Sequence, residues 1–99
     1  MLKKRFFKTK NDCEVTFEVQ AGGAESATLV CEVNNWEPVV MKKTKGAFRT
    51  KMRVPKEGRF QFRYLVNENE WVNEEQADAY CGNEFGGTNS VVDTTPPRA

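Results

Sequence analysis

The sequence contains no histidine and no long hydrophobic run among its 99 residues. The missing histidine excludes His-based catalytic triads, histidine metal ligands and a histidine pH switch. No apolar segment approaches the ~20 residues of a transmembrane helix, so we expect no membrane partner. The basic start also lacks the apolar stretch of ~7–15 residues of a signal peptide, because Lys8 and Lys10 interrupt it. We therefore expect a cytoplasmic protein.

Cysteine is scarce, and its spacing does not suit metal binding. Cys13, Cys31 and Cys81 are far apart, and there is no Cys-x-x-Cys pair. This spacing excludes zinc ribbons and dithiol redox pairs. We expect three reduced thiols that pack as small hydrophobic side chains, with no metal and no other cofactor. A disulfide between Cys13 and Cys31 stays open as an alternative, because their strands could be neighbours.

What the sequence does contain is alternation with a period of two residues. Apolar and polar side chains alternate in several segments, which is typical of strands with one buried and one solvated face. A more uniformly apolar segment predicts a central strand, and turns containing glycine or proline separate the segments. The predicted strands cover residues 13–19, 28–33, 48–54, 60–66 and 90–93.

These segments predict an all-β fold. The short strands and their spacing favour an immunoglobulin-like β-sandwich of about seven strands. A five-stranded barrel is the alternative. A (β/α)₈ barrel is excluded because it needs about 200 residues or more. We expect residues 12–93 to form the sandwich, with an N-terminal basic segment at 1–11 and a disordered tail at 94–99.

Charge is distributed unevenly along the chain. Residues 42–63 contain nine basic side chains and one acid, whereas residues 68–84 contain six acids and no base. We interpret these as two solvated faces that partly neutralise each other, with a basic nucleic-acid surface as the alternative. We expect no nucleic-acid partner, because Phe48, Phe60 and Phe62 alternate against the charges and so face the core rather than bases.

Two tryptophans lie in polar, loop-like surroundings. Trp36 follows two asparagines and precedes Glu37 and Pro38, and Trp71 lies among asparagines and glutamates. Neither neighbourhood continues an alternating strand, so each indole either folds over the core or is exposed. Exposed, rigid aromatic faces usually mark binding sites. An indole matches the apolar face of a sugar ring, and asparagine amides match its hydroxyls, so the pattern favours a carbohydrate platform.

The order of short motifs over residues 13–93 is similar to that of a known family. The motifs are Val15-Thr16-Phe17, the strand 29–33 with Asn34-Asn35-Trp36, Pro55-Lys56-Glu57-Gly58, the strand 60–66, Trp71 and the segment 83–92. In this order they resemble the family 48 carbohydrate-binding modules, including the glycogen-binding domain of the AMP-activated protein kinase β subunit. They also resemble the early-set domain at the N-terminus of isoamylases.

The resemblance implies a glucan site. The family's two platform tryptophans match Trp36 and Trp71, although the turn before Trp71 is slightly longer than the family's. Its basic residue matches Arg63, and its asparagine near the last strand matches Asn89. The apolar residue that meets the glucan from the same loop matches Phe85. Alternation supports Arg63 independently, because it lies opposite the aromatic face of its strand and so points to solvent.

The resemblance also implies a function. We expect a stand-alone, non-catalytic module that binds α-1,4-glucan such as glycogen or starch and accompanies an amylolytic or glycogen-metabolism protein. The alternative is a protein-interaction or scaffold sandwich, monomeric or a homodimer, that has lost sugar binding. An enzyme is not expected, because a glycosidase needs two carboxylates about 5–10 Å apart in a cleft and the clustered acids here lie on loops.

Overall fold

The alternating segments of the sequence form the long strands of the structure. The computed structural model describes residues 1–21, 23–83 and 86–96. These residues form a single 3-10 turn at Glu32–Asn34 and ten strands: β1 (Leu2–Phe6), β2 (Asp12–Gln20), β3 (Ala27–Cys31), β4 (Val39–Val40), β5 (Lys42–Thr44), β6 (Ala47–Pro55), β7 (Arg59–Val66), β8 (Glu70–Val72), β9 (Ala79–Gly82) and β10 (Thr88–Asp93). In this part of the chain, no helix is long and apolar enough to cross a bilayer.

The strands form two antiparallel sheets. The first has the order β1-β2-β6-β5, and the second has the order β4-β3-β7-β10-β9, with β8 paired to β7. The predicted all-β sandwich is confirmed, and the barrel alternative is wrong because the strands separate into two sheets. The strand number exceeds the expected value because several strands are too short to show alternation.

The core lies between the sheets and has aromatic side chains at its centre. Phe17 of β2 meets Phe62 of β7 edge to face, with 5.0 Å between ring centroids, and Phe62 meets Tyr64 at 5.7 Å. Leu29 and Val54 are fully buried beside them. Burial of each such side chain contributes about 1.5–3 kcal/mol. Because β7 directs its aromatic residues inward, the residues between them face outward on the second sheet.

The ordered sandwich extends beyond the expected boundaries at residues 12 and 93. Leu2–Phe6, expected in the N-terminal basic segment, forms β1 and pairs with β2. The sequence does not show the alternation of β1, because the charged Lys4 occupies one of its inward positions. The structure accommodates this charge, since the ammonium of Lys4 lies 2.6 Å from a carboxylate oxygen of Asp78. Thr94, expected in the tail, is fully buried, and its hydroxyl donates to a backbone carbonyl at 2.6 Å. Residues 97–99 of the expected tail lie outside the described residues.

The cysteines are all free, and two of them belong to the core. Cys13 lies on β2 and Cys31 on β3, so they occupy different sheets and are not on neighbouring strands. Both are fully buried, and burial raises the pKa of Cys31 to about 11 and that of Cys13 above its usual value. Cys81 differs from the expectation of three packed thiols, because it is exposed on β9, at the edge of the second sheet.

Candidate ligand-binding groove

The outer face of the second sheet carries a row of side chains across β3, β7 and β10. Because the aromatic residues of β7 face the core, Gln61 and Arg63 point outward. Val30 of β3 stands opposite Arg63 in the antiparallel register. The register of β10 brings Asn89 to the other side of β7. This row forms the floor of a surface groove.

One wall of the groove is Trp36, which the turn after β3 directs outward. A carboxylate oxygen of Glu32 accepts a hydrogen bond from the backbone N–H of Gln61 at 2.8 Å and so ties this turn to β7. The chain then reverses at Asn35 and Trp36, whose φ angles are 61° and 64°. A left-handed conformation is unfavourable for a bulky side chain and costs about 1–3 kcal/mol. Such strain concentrates at functional sites. The indole of Trp36 is 42% exposed.

A second wall is Trp71, which the β7–β8 hairpin returns to the same face. The hairpin turns through Asn67 and Glu68, whose φ angles of 53° and 63° match the twist of paired strands. Trp71 therefore stands opposite Leu65 of β7 and is 50% exposed. The guanidinium carbon of Arg63 lies over its ring, 5.2 Å from the centroid, within the range of a cation–π contact.

Together these side chains enclose an open groove of about 570 Å³. Trp36, Arg63, Trp71 and Asn89, which were predicted from the sequence as binding residues, all line it. Phe85, the fifth predicted residue, lies outside the described residues. Sequence reasoning missed Gln61, although its signal was readable from the alternation of β7. The described lining consists of Val30, Trp36, Gln61, Arg63, Trp71, Gly82, Asn83 and Asn89.

Three side-chain amides form a connected network in the groove. The NH₂ group of Asn83 donates to the amide oxygen of Asn89 at 3.3 Å, and the NH₂ group of Asn89 donates to the amide oxygen of Gln61 at 2.9 Å. Asn89 is only 8% exposed, so the network fixes its orientation. Each amide has two N–H donors and two lone pairs. The amides of Asn89 and Gln61 therefore keep capacity for a ligand's hydroxyl groups.

The groove has an uncompensated positive charge in its described lining. Arg63 is the charged residue of that lining, and none of the ion pairs among the described residues involves it. Its Nε is buried and has no hydrogen-bond partner in this part of the chain. Asn34 Oδ1, on the turn that carries Trp36, is a second buried polar atom without a partner there. The groove thus offers indole faces, amides and one cation, a set suited to binding.

Solved structures share this fold as part of longer chains. The ferric enterobactin esterase of Salmonella typhimurium is similar with a TM-score of 0.75 at 9% identity, over 97% of this chain and 35% of that chain. The enterobactin esterase of Shigella flexneri, solved in the presence of enterobactin, has a TM-score of 0.74 at 10% identity, over 97% and 34%. This chain therefore spans about a third of the length of these esterases.

An α-glucan enzyme is also among the similar structures. A mutant pullulanase of Paenibacillus barengoltzii, complexed with maltotetraose, has a TM-score of 0.52 at 23% identity, over 81% of this chain and 13% of that chain. No protein-family model matches the sequence, and no curated protein matches it. At these identities the similarity extends to the fold alone, a β-sandwich that occurs within larger enzymes.

A second cavity, of about 260 Å³, surrounds the buried carboxylate of Glu74. One carboxylate oxygen accepts hydrogen bonds from the hydroxyl of Tyr64 at 2.7 Å and from the Met1 ammonium at 2.5 Å. The other oxygen accepts from the backbone N–H of Gln76 at 2.9 Å. Burial and the nearby carboxylate raise the pKa of Tyr64 above its usual range. Since this carboxylate already has three donors, we assign the cluster to stability.

Proposed function

We propose that this chain is a non-catalytic module that binds α-1,4-glucan, of the glycogen or starch type, in the groove between Trp36 and Trp71. The observation that carries the proposal is the meeting of two half-exposed indoles, distant in the sequence, on one sheet face. A large exposed apolar surface is unfavourable in water and usually marks a binding site. Two such surfaces on one groove suit a chain of rings.

The polar groups of the groove complement the rim of a sugar. A pyranose ring presents axial C–H groups to an indole and hydroxyls at its edge. The oxygen of Gln61 is already occupied by Asn89, so the NH₂ group of Gln61 is oriented to donate. Arg63 adds its guanidinium, whose Nε has no acceptor among the described residues. The arrangement therefore supports stacking from Trp36 and Trp71 with hydrogen bonds from the floor.

The choice of α-glucan over other sugars has two supports. The first is the order of motifs in the sequence, which resembles glycogen-binding modules. The second is the similar fold within a pullulanase that was solved with maltotetraose. The enterobactin esterases share the fold more closely, with TM-scores of 0.75 and 0.74 against 0.52, but at 9–10% identity their similarity shows the fold alone.

The affinity should be weak. Stacking on the two indoles buries roughly 200 Å² of apolar area, which contributes about 5 kcal/mol. Each hydroxyl hydrogen bond adds about 1 kcal/mol, and immobilisation of the ligand subtracts several. We expect a Kd on the order of 10–1000 μM for a short oligosaccharide, with tighter apparent binding to a polymer through multivalency.

An NMR titration of the full chain with maltoheptaose tests the proposal. We expect the largest shift changes at both indole N–H signals and at the side-chain amides of Gln61 and Asn89. Trp36→Ala and Trp71→Ala should each weaken binding, whereas Val40→Ala, at an exposed apolar residue outside the groove, should not. Absence of binding to maltoheptaose and of retardation by glycogen in native gels would refute the glucan proposal. Release of reducing ends from starch by pure protein would refute its non-catalytic part.

A protein-interaction module is the second candidate function. This chain covers 35% of the Salmonella esterase and 13% of the pullulanase, so in both enzymes the similar fold is one part of a longer chain. A fold that is joined to other protein parts there favours a protein partner here. The partner would be an amylolytic or glycogen-metabolism protein in the cytoplasm, or a second copy of this chain. A monomer in light scattering excludes the homodimer. Loss of partner binding on changing Trp36 or Trp71, without any glucan binding, would favour this candidate.

A further inference from the structure

The starting observation is the environment of the Arg63 side chain, which differs from that of the two ion-paired arginines. Arg49 is paired with Glu18 and Arg53 with Asp12, both across strands of the first sheet. The Arg63 side chain, like those of Arg5 and Arg59, takes part in no ion pair among the described residues, but its Nε is the one arginine nitrogen there that is buried without a hydrogen-bond acceptor. Its interaction with the protein is instead the stacking of its guanidinium on Trp71, at 5.2 Å.

This resting position leaves the guanidinium poorly satisfied. Its Nε is shielded from water and has no acceptor, which is unfavourable for a charged donor. A cation–π contact compensates only in part, since the indole provides no hydrogen-bond acceptor in its plane. A ring that stacked on Trp71 would compete with Arg63 for the indole face. The guanidinium is therefore positioned to leave Trp71 when a ligand supplies a better partner.

The neighbouring groups indicate what that partner is. Gln61 and Asn89 already provide neutral donors and acceptors for hydroxyls, and no carboxylate occurs in the described lining of the groove. A neutral glucan would satisfy hydrogen bonds but would leave the charge of Arg63 uncompensated. A guanidinium forms its strongest, two-pronged hydrogen bonds with carboxylates and phosphates.

We propose that the groove prefers an α-glucan that carries an anionic substituent, a phosphate monoester or a carboxylate, with Arg63 as its counter-ion. This inference rests on the proposed glucan function and specifies its ligand class. The sugar ring displaces Arg63 from the face of Trp71, and the released guanidinium binds the anionic oxygens beside the ring. No covalent step is involved.

The test compares three probes: maltoheptaose, maltoheptaose with one phosphate monoester, and maltoheptaose with one glucose oxidised to a glucuronic acid. Each is titrated by NMR at low salt and at 0.5 M NaCl. We expect an anionic probe to bind roughly 10- to 100-fold more tightly than maltoheptaose at low salt. The advantage should shrink at high salt, because a half-exposed ion pair is screened. The two anionic probes distinguish phosphate from carboxylate recognition.

Variants assign the preference to one side chain. Arg63→Gln should bring the affinity ratio of anionic to neutral probe close to one, and Arg63→Lys should keep part of it. Arg59→Gln is the matched control, because Arg59 is exposed on the same strand and the same face but does not line the groove. It should leave the ratio unchanged.

The outcomes separate the inference from the function on which it rests. Equal affinity for all three probes overturns the anionic preference and leaves glucan binding intact. A preference that survives Arg63→Gln overturns the role of Arg63. Failure of every probe to bind refutes the proposed function, and the inference with it. Tight binding of the anionic probes that Arg63→Gln abolishes supports both.

Discussion

Replacement of Trp36 by alanine tests the stacking argument at a single residue. The indole is 42% exposed. For a side chain that can bury about 250 Å², this exposure leaves roughly 100 Å² open to a ligand. A stacked pyranose would cover about half of that area and a similar area of its own apolar face, which amounts to about 2.5 kcal/mol at 25 cal/mol per Å². We therefore expect the variant to bind maltoheptaose about 10- to 70-fold more weakly, the upper figure being complete loss of stacking.

The assay is the NMR titration, with the variant at the same concentration as the wild type. Trp36→Phe should fall between the two, since it keeps a smaller stacking surface. Val40→Ala removes an apolar side chain that is 81% exposed on β4 and should bind like the wild type. The thermal unfolding midpoint reports whether Trp36→Ala remains folded. The reasoning is refuted if folded Trp36→Ala binds within twofold of a wild type that does bind.

Three further predictions concern stability and reactivity. Tyr64→Phe should lower the free energy of unfolding in urea by about 1–3 kcal/mol, because the buried carboxylate of Glu74 loses a donor at 2.7 Å. Hydrogen bonding to Arg49 holds the pKa of Glu18 below its usual value, so this pair stabilises the fold above the unfolded-state pKa and the stabilisation is lost as pH falls through the lowered one. Arg49→Gln should therefore flatten the acid side of the profile of unfolding midpoint against pH. With a thiol reagent at pH 8, Cys81 alone should react in the folded protein, because it is the exposed cysteine.

Matched variants accompany these predictions. Tyr80→Phe also removes a hydroxyl that donates to Glu74, but to its backbone oxygen and from a side chain that is half exposed, so it should cost less than Tyr64→Phe. An equal cost for both would contradict the burial argument. If Arg49→Gln left the unfolding midpoint unchanged at every acid pH, the Glu18–Arg49 pair would not contribute to acid sensitivity. Cys81→Ser should abolish the reaction of the folded protein, and fast reaction of Cys13 or Cys31 would show that the core opens.

The long strands were predictable because their inward positions are mostly apolar, with Thr50 of β6 as an exception. β2, β6 and β7 alternate between inward and outward residues along their centres, so the sequence alone indicates which residues face the core. β1 escaped prediction because Lys4 occupies an inward position, where Asp78 compensates its charge. That contact depends on the tertiary structure. β9 is too short and too exposed to have a periodic signal.

The binding groove was only partly predictable. The local surroundings of Trp36 and Trp71 predicted exposure, but their meeting depends on the pairing of β3 with β7 and of β7 with β8. The resemblance to family 48 carbohydrate-binding modules predicted that the two tryptophans belong to one site. The stacking of Arg63 on Trp71 and the orientation of the amides had no sequence signal, because they are set by rotamers within the folded groove.

Alternate residues of β7 serve the core and the groove, so the two sets can be substituted separately. Phe62 and Tyr64 fill the interior, while Gln61 and Arg63 line the groove. A shift of one residue in the pairing would bury the cation and expose the aromatic rings, so the full burial of Phe62 and Tyr64 protects the register. Substitutions at 61 and 63 can therefore redesign ligand choice while the scaffold keeps its shape. Protein engineering could therefore vary positions 61 and 63 while the buried Phe62 and Tyr64 keep the strand in place.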